Sequence, residues 1–407
     1  MDQGKSGFSE LAKQATLQPQ EMPAAIVTSD QQLLIGVAKD STFQENRVPL
    51  TPSSVGLLVN NGHDVVIESG AGKGANFSDT NYSEAGARIA YDKKQVFEAE
   101  VLLKVDPPTM EEIEMMKPDQ LLISALQLTS ITPDYITALQ KKKVNAVAYE
   151  FYKDSSGSIP IIRSMSEIAG STSLLIAAEY LSSASGGKGE MLGGISGIPP
   201  TEVVIIGAGT VGEFAARAAI GLGASVKIFD NSLFKLRRLQ NNIGERLFTS
   251  VLQPNILARA LKTADVAIGA LRGEDNASMC VVNEQMVMQM KPGAVIIDVC
   301  IDLGGCFETS EVTNHTNPIF RKHDVIHYCV PNISSRVART ASYALSNVIT
   351  PLLMNIADSG SFHKLIWERP GVRHGIYVYK GQLTSRFVAH RFNMQSKDID
   401  LLIGAHL

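Results

Sequence analysis

Short apolar runs alternate with longer helical segments along most of the chain. The first five runs lie at residues 33–37, 64–68, 101–105, 121–126 and 144–148. Helical stretches of about 10–15 residues separate them, and such alternation predicts a parallel sheet with helices on its faces. The helix predicted at residues 52–61 ends at Asn61-Gly62, because glycine is the usual C-terminal helix signal.

A second alternating series follows a long helix predicted at residues 165–183. The segment 182–200 is rich in glycine and ends in two prolines, which marks a loop or linker. Five further strands are predicted at residues 203–206, 225–229, 266–270, 295–299 and 325–330, and a last helix at residues 338–358. The whole pattern predicts an α/β protein with two mostly parallel sheets.

Composition and charge narrow the functional classes. At roughly 150 residues per domain, the 407 residues suggest two or three domains. Hydrophobic residues are 44% and charged residues 19%, typical of a globular protein with a large core. A net charge of −4 argues against a strongly basic nucleic-acid binder. No apolar run is long enough for a membrane span, and the polar N-terminus lacks a secretory signal pattern.

The cysteines and histidines form no metal-binding pattern. The four cysteines lie in apolar or strand-like surroundings: Cys280, Cys300, Cys306 and Cys329. Because none forms a CxxC pair, we predict buried free thiols in a cytoplasmic protein. His63 is predicted to be solvated. His323 and His327 flank a predicted strand rather than share a helix face, so no metal ligand is predicted.

The most informative stretch is the sequence GAGTVG, which joins the strand at residues 203–206 to a helix. Gly207 permits the tight turn, Gly209 lets the backbone approach a pyrophosphate, and Gly212 lets helix and strand pack closely. The helix N-terminus then presents free N–H groups to the phosphates. In this strand–turn–helix context the motif predicts a dinucleotide site.

An acidic residue selects between the two nicotinamide dinucleotides. Asp230 ends the next strand, eighteen positions after Gly212. A carboxylate there hydrogen-bonds the ribose 2′-hydroxyl and repels a 2′-phosphate, so NAD is predicted rather than NADP. Lys235, five residues further on, either flanks the adenosine ribose or is merely solvated.

Together with other motifs, this turn makes the chain resemble alanine dehydrogenase and the NAD(H)-binding part of nicotinamide nucleotide transhydrogenase. The motifs lie at residues 35–39, 45–52, 70–74, 77–79, 101–105, 165–170, 192–200, 207–212, 297–308, 328–332 and 378–384. The match is closest to alanine dehydrogenase and spans residues 33 to 384. Family enzymes are commonly hexamers, so the resemblance also implies a homohexamer.

The resemblance implies two Rossmann-like domains with a cleft between them. The NAD-binding Rossmann domain, residues 160–338, is inserted into a discontinuous substrate domain. That substrate domain comprises residues 33–159 and 339–407. Residues 1–32 lie outside the resemblance and are predicted to be an N-terminal extension.

On the substrate side, the resemblance implies three contacts. Arg47 would bind the carboxylate of alanine or pyruvate, since a guanidinium clamps a carboxylate through two parallel hydrogen bonds. Lys104 lies in an apolar strand, where a charge is costly unless it is paired or faces a cleft. The family's lysine there contacts the substrate carbonyl; the alternative is an edge-strand lysine. Asn332 is implied as a further substrate contact.

Asp302 is implied as the essential aspartate near the nicotinamide and substrate. It follows the strand at residues 295–299, and carboxyl ends of strands line the ligand crevice in open α/β sheets. Asp298 competes for this role, but the Gly-Gly after Asp302 favours Asp302. The resemblance implies these nucleotide contacts: Ser166, Gly207, Gly209, Thr210, Val211, Gly212, Asp230, Lys235, Leu271 and Asp302.

Gln127 departs from the family pattern. Alanine dehydrogenases carry their acid/base histidine after the strand corresponding to residues 121–126, in a Leu-His-Leu-like pattern. Here the sequence is Leu-Gln-Leu. A glutamine orients a substrate but takes up no proton at neutral pH. Proton transfer would then fall to Asp302, to Lys104 or to ordered water.

These observations predict an NAD-dependent oxidoreductase that deaminates L-alanine to pyruvate and ammonia, reversibly. Lys104, Gln127 and Asp302 are the predicted catalytic residues. Two alternatives remain: a transhydrogenase-like NAD(H)-binding subunit, and an NAD-sensing protein without amino-acid turnover. A titratable group close to Gln127 would favour the enzyme, whereas a pocket without one would favour the binding functions.

Overall fold

A computed structural model describes residues 31–128, 130–273 and 279–404, so nearly all of the predicted N-terminal extension lies outside the described residues. The strands are β1 (Leu34–Val37), β2 (Asp64–Glu68), β3 (Arg88–Ala90), β4 (Val101–Leu103), β5 (Leu121–Ser124), β6 (Asn145–Ala148), β7 (Glu202–Ile206), β8 (Ser225–Phe229), β9 (Phe248–Ser250), β10 (Val266–Gly269), β11 (Val295–Asp298), β12 (Ile319–Lys322), β13 (Val325–Tyr328), β14 (Ile376–Tyr379) and β15 (Gln382–Leu383). The helices are α1 (Pro52–Asn60), α2 (Asp79–Glu84), α3 (Lys93–Val96), α4 (Met110–Met115), α5 (Pro133–Lys142), α6 (Pro160–Leu181), α7 (Thr210–Gly221), α8 (Leu233–Ile243), α9 (Pro254–Thr263), α10 (Glu284–Met288), α11 (Ala338–Asp358), α12 (Phe362–Glu368), α13 (Pro370–Arg373), α14 (Arg386–Phe392) and α15 (Ile399–Gly404).

The first sheet has the strand order β15-β14-β6-β5-β4-β1-β2-β3. β1 pairs in parallel with β2 on one side and with β4 on the other. The direction of winding therefore reverses between β1 and β4. In open α/β sheets ligands bind in the crevice outside the carboxyl ends at such a switch point.

The second sheet repeats this arrangement, with the order β12-β13-β11-β10-β7-β8-β9. β7 pairs in parallel with β8 and with β10, so a second switch point lies between β7 and β10. All strands of this sheet fall between β6 and β14 along the chain. The α/β prediction of two mostly parallel sheets, one inserted into the other, is confirmed.

Two long helices join the sheets. Ile161, at the start of α6, packs in the core of the first sheet, whereas Leu174 on the same helix packs in the core of the second. Ile333, just before α11, belongs to the second core, and Leu345 on α11 belongs to the first. The chain therefore passes between the two units along α6 and near the start of α11.

Several local predictions need correction. β3, β9, β12, β14 and β15 were not predicted, because they are short and lie toward the edges of the sheets. His63 is buried rather than solvated, because its Nδ1 accepts a hydrogen bond from the Leu33 N–H of the neighbouring strand. Cys280 is exposed rather than buried. Among the described residues, no helix combines the length and apolar character that a membrane crossing requires.

Candidate functional site

A cavity of about 390 Å³ opens beside the loops that follow β1 and β2. Its lining residues are Lys39, Asp40, Glu45, Asn46, Arg47, Gly70, Ala71, Lys73 and Gly74. These loops leave the carboxyl ends of their strands, next to the switch point between β1 and β4. The predicted carboxylate-binding residue Arg47 therefore lies where the fold places a ligand.

Arg47 is held by a carboxylate of its own loop. Its Nε donates to Glu45 Oε1 at 2.8 Å and its Nη2 to Glu45 Oε2 at 2.5 Å. Burial alone would lower the pKa of Arg47, but the Glu45 charge outweighs it and the pKa is raised. Nη1 lies 3.5 Å from the Met165 sulfur, a weak acceptor. The guanidinium is thus charged and fixed in orientation, and its Nη1 hydrogens remain for a stronger acceptor.

Glu45 also connects Arg47 to the second unit. Asn332, which follows β13, donates from Nδ2 to Glu45 Oε2 at 2.8 Å. The Asn46 N–H donates to Ser335 Oγ at 2.9 Å. These contacts bring the predicted substrate residues Arg47 and Asn332 together, although 285 positions separate them in the chain. The carboxyl-end loops of the two sheets meet at this point.

Lys104 occupies a different environment from the one expected of a substrate contact. Its side chain is 2% exposed, and its Nζ lies 2.9 Å from Glu112 Oε2 and 3.5 Å from Asp40 Oδ1. β4 lies between β1 and β5, so the edge-strand alternative is wrong. A buried ammonium with two carboxylate partners satisfies the requirement for pairing. In this geometry Lys104 supports Asp40, which lines the cavity, and is not itself a lining residue.

Gln127 lies after β5 in a left-handed backbone conformation, with φ of 45°. Such a conformation is costly for a residue other than glycine and persists where neighbours enforce it. The N–H groups of Leu126 and Gln127 both donate to Glu150 Oε1, at 2.7 and 3.2 Å. The side-chain amide of Gln127 donates to Asp106 Oδ1. Glu150 therefore fixes the backbone at Gln127, and Asp106 accepts a hydrogen bond from its side chain.

The carboxylates around this loop are perturbed by burial. Burial raises the pKa of Asp40 to about 7, although Lys104 opposes the rise. Burial also raises the pKa of Asp106, and the Glu45 charge adds to this. Burial raises the pKa of Glu150, which keeps Oε2 buried without a hydrogen-bond partner in the described part of the chain. Burial therefore shifts all three carboxyl groups toward the protonated form, and the pKa of Asp40 lies near neutral pH.

At the second sheet, the glycine turn has the geometry that its sequence predicts. A Cβ on Gly207 would lie 2.2 Å from the Ala270 carbonyl oxygen, and φ there is 117°. A Cβ on Gly212 would lie 1.9 Å from the Gly207 oxygen. A Cβ on Gly209 would meet no atom within 4 Å. The first two glycines are needed for packing, whereas Gly209 faces open space in front of α7.

Asp230 lies beside this turn at the end of β8. Its Oδ2 accepts from the Ala208 N–H and its Oδ1 from the Ser232 N–H, both at 2.7 Å. Arg238 on α8 donates to the Ala208 carbonyl at 3.3 Å. The carboxylate is therefore locked next to the phosphate turn. Lys235 lies in the first turn of α8 and is half-buried, which leaves both of its alternatives open.

Asp298 and Asp302 have separate environments. Asp298 is fully buried and accepts from the Cys306 N–H at 2.8 Å and the Ser310 hydroxyl at 2.7 Å, so it holds the following loop. Asp302 lies on that loop and is exposed. The surrounding protein still raises its pKa, and Arg272 opposes part of the rise. Asp302 is thus the one of the two that is open to a ligand.

The predicted residues form two groups. The first group lies around the first switch point and comprises Arg47, Asn332 and Gln127. The second group follows strands of the second sheet and comprises the glycine turn, Thr210, Val211, Asp230, Leu271 and Asp302. Ser166 lies on α6 beside Met165. Sequence reasoning missed Asp40, Glu45, Asp106 and Glu150. Three of them, Asp40, Asp106 and Glu150, follow a strand of the first sheet within three residues, and a search for acids at carboxyl ends of strands would have found them. Glu45 lies eight residues after β1, and only its contact with Arg47 reveals it.

The chain matches two family models along most of its length. "Alanine dehydrogenase/PNT, N-terminal domain" covers residues 36–169, and "Alanine dehydrogenase/PNT, C-terminal domain" covers residues 173–386. The alanine dehydrogenase of Methanococcus maripaludis is 41% identical over 359 residues, which are 88% of this chain and 96% of the relative. That of Bacillus subtilis is 40% identical over 358 residues, 88% of this chain and 94% of the relative.

Solved structures of two proteins also resemble this chain. An L-alanine dehydrogenase superposes with a TM-score of 0.83 at 37% identity, over 89% of this chain and 99% of that one. A transhydrogenase from Sinorhizobium meliloti superposes with a TM-score of 0.75 at 22% identity, over 87% of this chain and 99% of the other. The second similarity is one of fold.

Proposed function

Because the chain belongs to the alanine dehydrogenase/PNT family, we propose that it catalyses the NAD-dependent oxidative deamination of L-alanine to pyruvate and ammonia, and the reverse reaction. The observation that carries this function is the meeting of Arg47, Glu45 and Asn332. It unites the loops of both sheets around one cavity. A small acid bound to Arg47 then lies between the substrate-side loops and the inserted nucleotide unit.

The second sheet fits a dinucleotide. Gly209 leaves open space for a pyrophosphate, and α7 begins there without a side-chain cap on its N–H groups. Asp230 supplies a carboxylate for a ribose hydroxyl and disfavours a 2′-phosphate, which supports NAD over NADP. Bound NAD would supply the acceptor for the hydride that leaves the substrate Cα. We assign Ser166, Gly207, Gly212, Leu271 and Asp302 to the same site on the strength of the family pattern.

The substrate side binds and orients the small acid. Arg47 holds the carboxylate through its remaining N–H groups, since charge-assisted bonds to a guanidinium are strong and directional. Asn332 and Glu45 keep that guanidinium in place. The buried Lys104 ammonium lies 3.5 Å from Asp40, and its positive charge stabilises the ionised form of that carboxyl group. Asp302, exposed on its loop, is available to the nicotinamide side of the cleft.

The direct test is NADH formation when L-alanine is added to purified protein with NAD. Serine, glycine and glutamate serve as comparators for side-chain preference. Pyruvate with ammonium and NADH should show the reverse reaction. Failure of alanine oxidation by a protein that binds NADH would overturn this function.

Gln127 favours a second candidate, an NAD(H)-binding protein without amino-acid turnover. The side chain cannot carry the proton that a histidine would carry. Such a protein would bind NADH with no dependence on alanine or pyruvate. A titration with NADH, performed with and without saturating pyruvate, distinguishes the two, because an enzyme of this type binds both ligands in one cleft.

Assembly and location are finer parts of the proposal. We propose a homohexamer, which the family resemblance supports and which sedimentation would test. A cytoplasmic location is supported by the cysteines, all free thiols in the structure. The proposed substrate domain comprises residues 33–159 and 339–407, and residues 160–338 form the NAD-binding domain. The placement of all seven strands of the second sheet between β6 and β14 supports this division.

A further inference from the structure

The absence of a histidine at position 127 raises the question of which group moves the proton. Two carboxylates contact Gln127 in the structure. Glu150 accepts from its backbone N–H, at 3.2 Å, and also from the Leu126 N–H. That carboxylate is therefore committed to holding the left-handed loop. Asp106 instead accepts from the side-chain amide of Gln127, the residue that stands where the family's sequence pattern has a histidine.

Asp106 is also tied to the substrate-binding residues. Its backbone N–H donates to Asp40 Oδ1 at 3.1 Å, and Asp40 lines the cavity. Its carboxylate interacts electrostatically with both Glu45 and Arg47. It follows β4, on the far side of the switch point from the Arg47 loop. Asp106 is thus buried directly behind Asp40 in the cavity wall, close enough to Arg47 for their charges to interact.

We propose that Asp106 is the catalytic acid/base of the alanine reaction, with the Gln127 amide as its positioning partner. This inference rests on the proposed function. Gln127 donates one hydrogen bond to the carboxylate and fixes its orientation. The two residues together then replace a single histidine: the amide orients and the carboxylate takes the proton.

The proton balance of the step is simple. L-Alanine reacts as the free amine, after its ammonium group has lost one proton to solvent. When the amine has then lost its Cα hydride, an iminium ion remains at Cα. Water attacks Cα, a C–O bond forms, one O–H bond breaks, and the proton passes to the Asp106 carboxylate. Asp106 then returns this proton to the amine nitrogen. The C–N bond breaks, the carbonyl forms, and the hydroxyl proton leaves with ammonia as ammonium, so Asp106 ends as it began.

The groups that face Asp106 favour this exchange. Asp40 and Glu45 bring negative charge from the β1 loop, Arg47 brings positive charge from the same loop, and the Tyr149 hydroxyl faces it from the end of β6. Burial, which is the largest cause, and the Glu45 charge raise the pKa of Asp106. A base whose pKa lies closer to neutrality than a free carboxyl exchanges protons more effectively.

The test compares Asp106→Asn with the unmodified protein and with Asp134→Asn. The Asn variant keeps the shape and removes the titrating group. Asp134 is exposed on α5, so its variant makes the same charge change away from the cleft. We expect Asp106→Asn to lower kcat by about 10²–10⁴-fold, the range of general acid/base catalysis. We expect NADH affinity, measured by fluorescence, to stay within about twofold for both variants, since Asp40 and Gln127, to which Asp106 is hydrogen-bonded, both follow strands of the first sheet.

The pH profile provides a readout that a structural role would not change. As a base, Asp106 works deprotonated, so alanine oxidation should fall as the pH drops through its raised pKa. This limb should disappear in Asp106→Asn and return, shifted, in Asp106→Glu. Asp106→Glu also retains a carboxylate should the Asn variant fold poorly.

The outcomes separate this inference from the function on which it rests. Alanine oxidation by the unmodified protein, with a large loss and no acid limb in Asp106→Asn, supports the assignment. Oxidation that survives Asp106→Asn within about threefold, or that keeps the same limb, overturns the assignment and points to Asp40, while the enzyme function stands. If the unmodified protein binds NADH but never oxidises alanine, the proposed function fails and the assignment falls with it.

Discussion

The change Gly209→Ala separates nucleotide binding from folding. Gly209 precedes α7 with φ of −74° and ψ of −166°, which alanine adopts without strain. Its Cβ would meet no protein atom within 4 Å. The methyl group therefore costs the fold little: loss of glycine at a helix N-cap costs about 1 kcal/mol or less. The melting temperature of the ligand-free protein should fall by no more than about 4 °C.

The same methyl group projects into the space that a pyrophosphate needs. The phosphate must then withdraw from the N–H groups at the start of α7 and lose at least one charge-assisted hydrogen bond. Such a bond contributes about 1.5–3 kcal/mol, which corresponds to a roughly 10- to 150-fold weaker affinity. Titration of NADH fluorescence measures this loss directly.

Gly207→Ala is the matched control for packing. Its Cβ would lie 2.2 Å from the Ala270 oxygen at a φ of 117°, so this variant should lose stability as well as affinity. NADH affinity unchanged by Gly209→Ala, with an unchanged melting temperature, would show that no pyrophosphate lies at this turn.

Three further changes test other parts of the molecule. Asp230→Ser should weaken NADH binding and bring NADPH affinity closer to it, because Arg238 then faces a 2′-phosphate without an opposing carboxylate; tighter NADPH than NADH binding by the unmodified protein would contradict the assignment. Arg47→Lys should raise KM for pyruvate by about 10- to 100-fold with NADH affinity unchanged, because a lysine cannot hold Glu45 through two parallel hydrogen bonds and also donate to the substrate carboxylate; an unchanged KM would remove Arg47 from the site. Burial lowers the pKa of His327 to about 4, so the unfolded chain takes up a proton that the folded protein refuses, and stability is lost as pH falls from about 6.5 toward 4. Between pH 7.5 and 5 the free energy of unfolding, measured in urea, should fall by about 2 kcal/mol through this group. His327→Gln should lack this contribution, and an equal pH dependence of the two proteins would contradict the prediction.

Local sequence predicted most of the fold because most strands are buried on both faces. The runs that became β1, β4, β7 and β10 contain Lys104 as their only charged residue, and these strands lie inside the two sheets, away from the edges. β9 and β12 lie at sheet edges and are partly exposed, so their sequences carry no such signal. β14 pairs with β6, more than 200 positions away, and with β15 in a local hairpin, so its place in the first sheet depends on a long-range contact that local sequence does not show.

The site was less predictable than the fold, because its chemistry depends on contacts between distant residues. Arg47 was recognised by its motif, yet Glu45, which holds it, became evident only from the structure. Lys104 illustrates the reverse case. The sequence indicated that its charge needed a partner, but it did not show that the partners are Glu112 and Asp40. A motif assigns a position in the fold, whereas the direction of a side chain depends on its neighbours.

Gln127 shows why the loss of one catalytic residue does not by itself decide function. Judged alone, a glutamine in place of a histidine removes the proton-transfer group and predicts a silent site. In the folded protein the same glutamine hydrogen-bonds Asp106, and Glu150 holds its backbone in a left-handed conformation that few residues adopt unaided. Nine other residues of the described chain that are not glycine share this conformation, so the backbone alone does not mark a functional loop. The informative feature is the side-chain contact: Gln127 takes up no proton itself, but it donates to a carboxylate that can, and the proposal that Asp106 carries the proton follows from that contact.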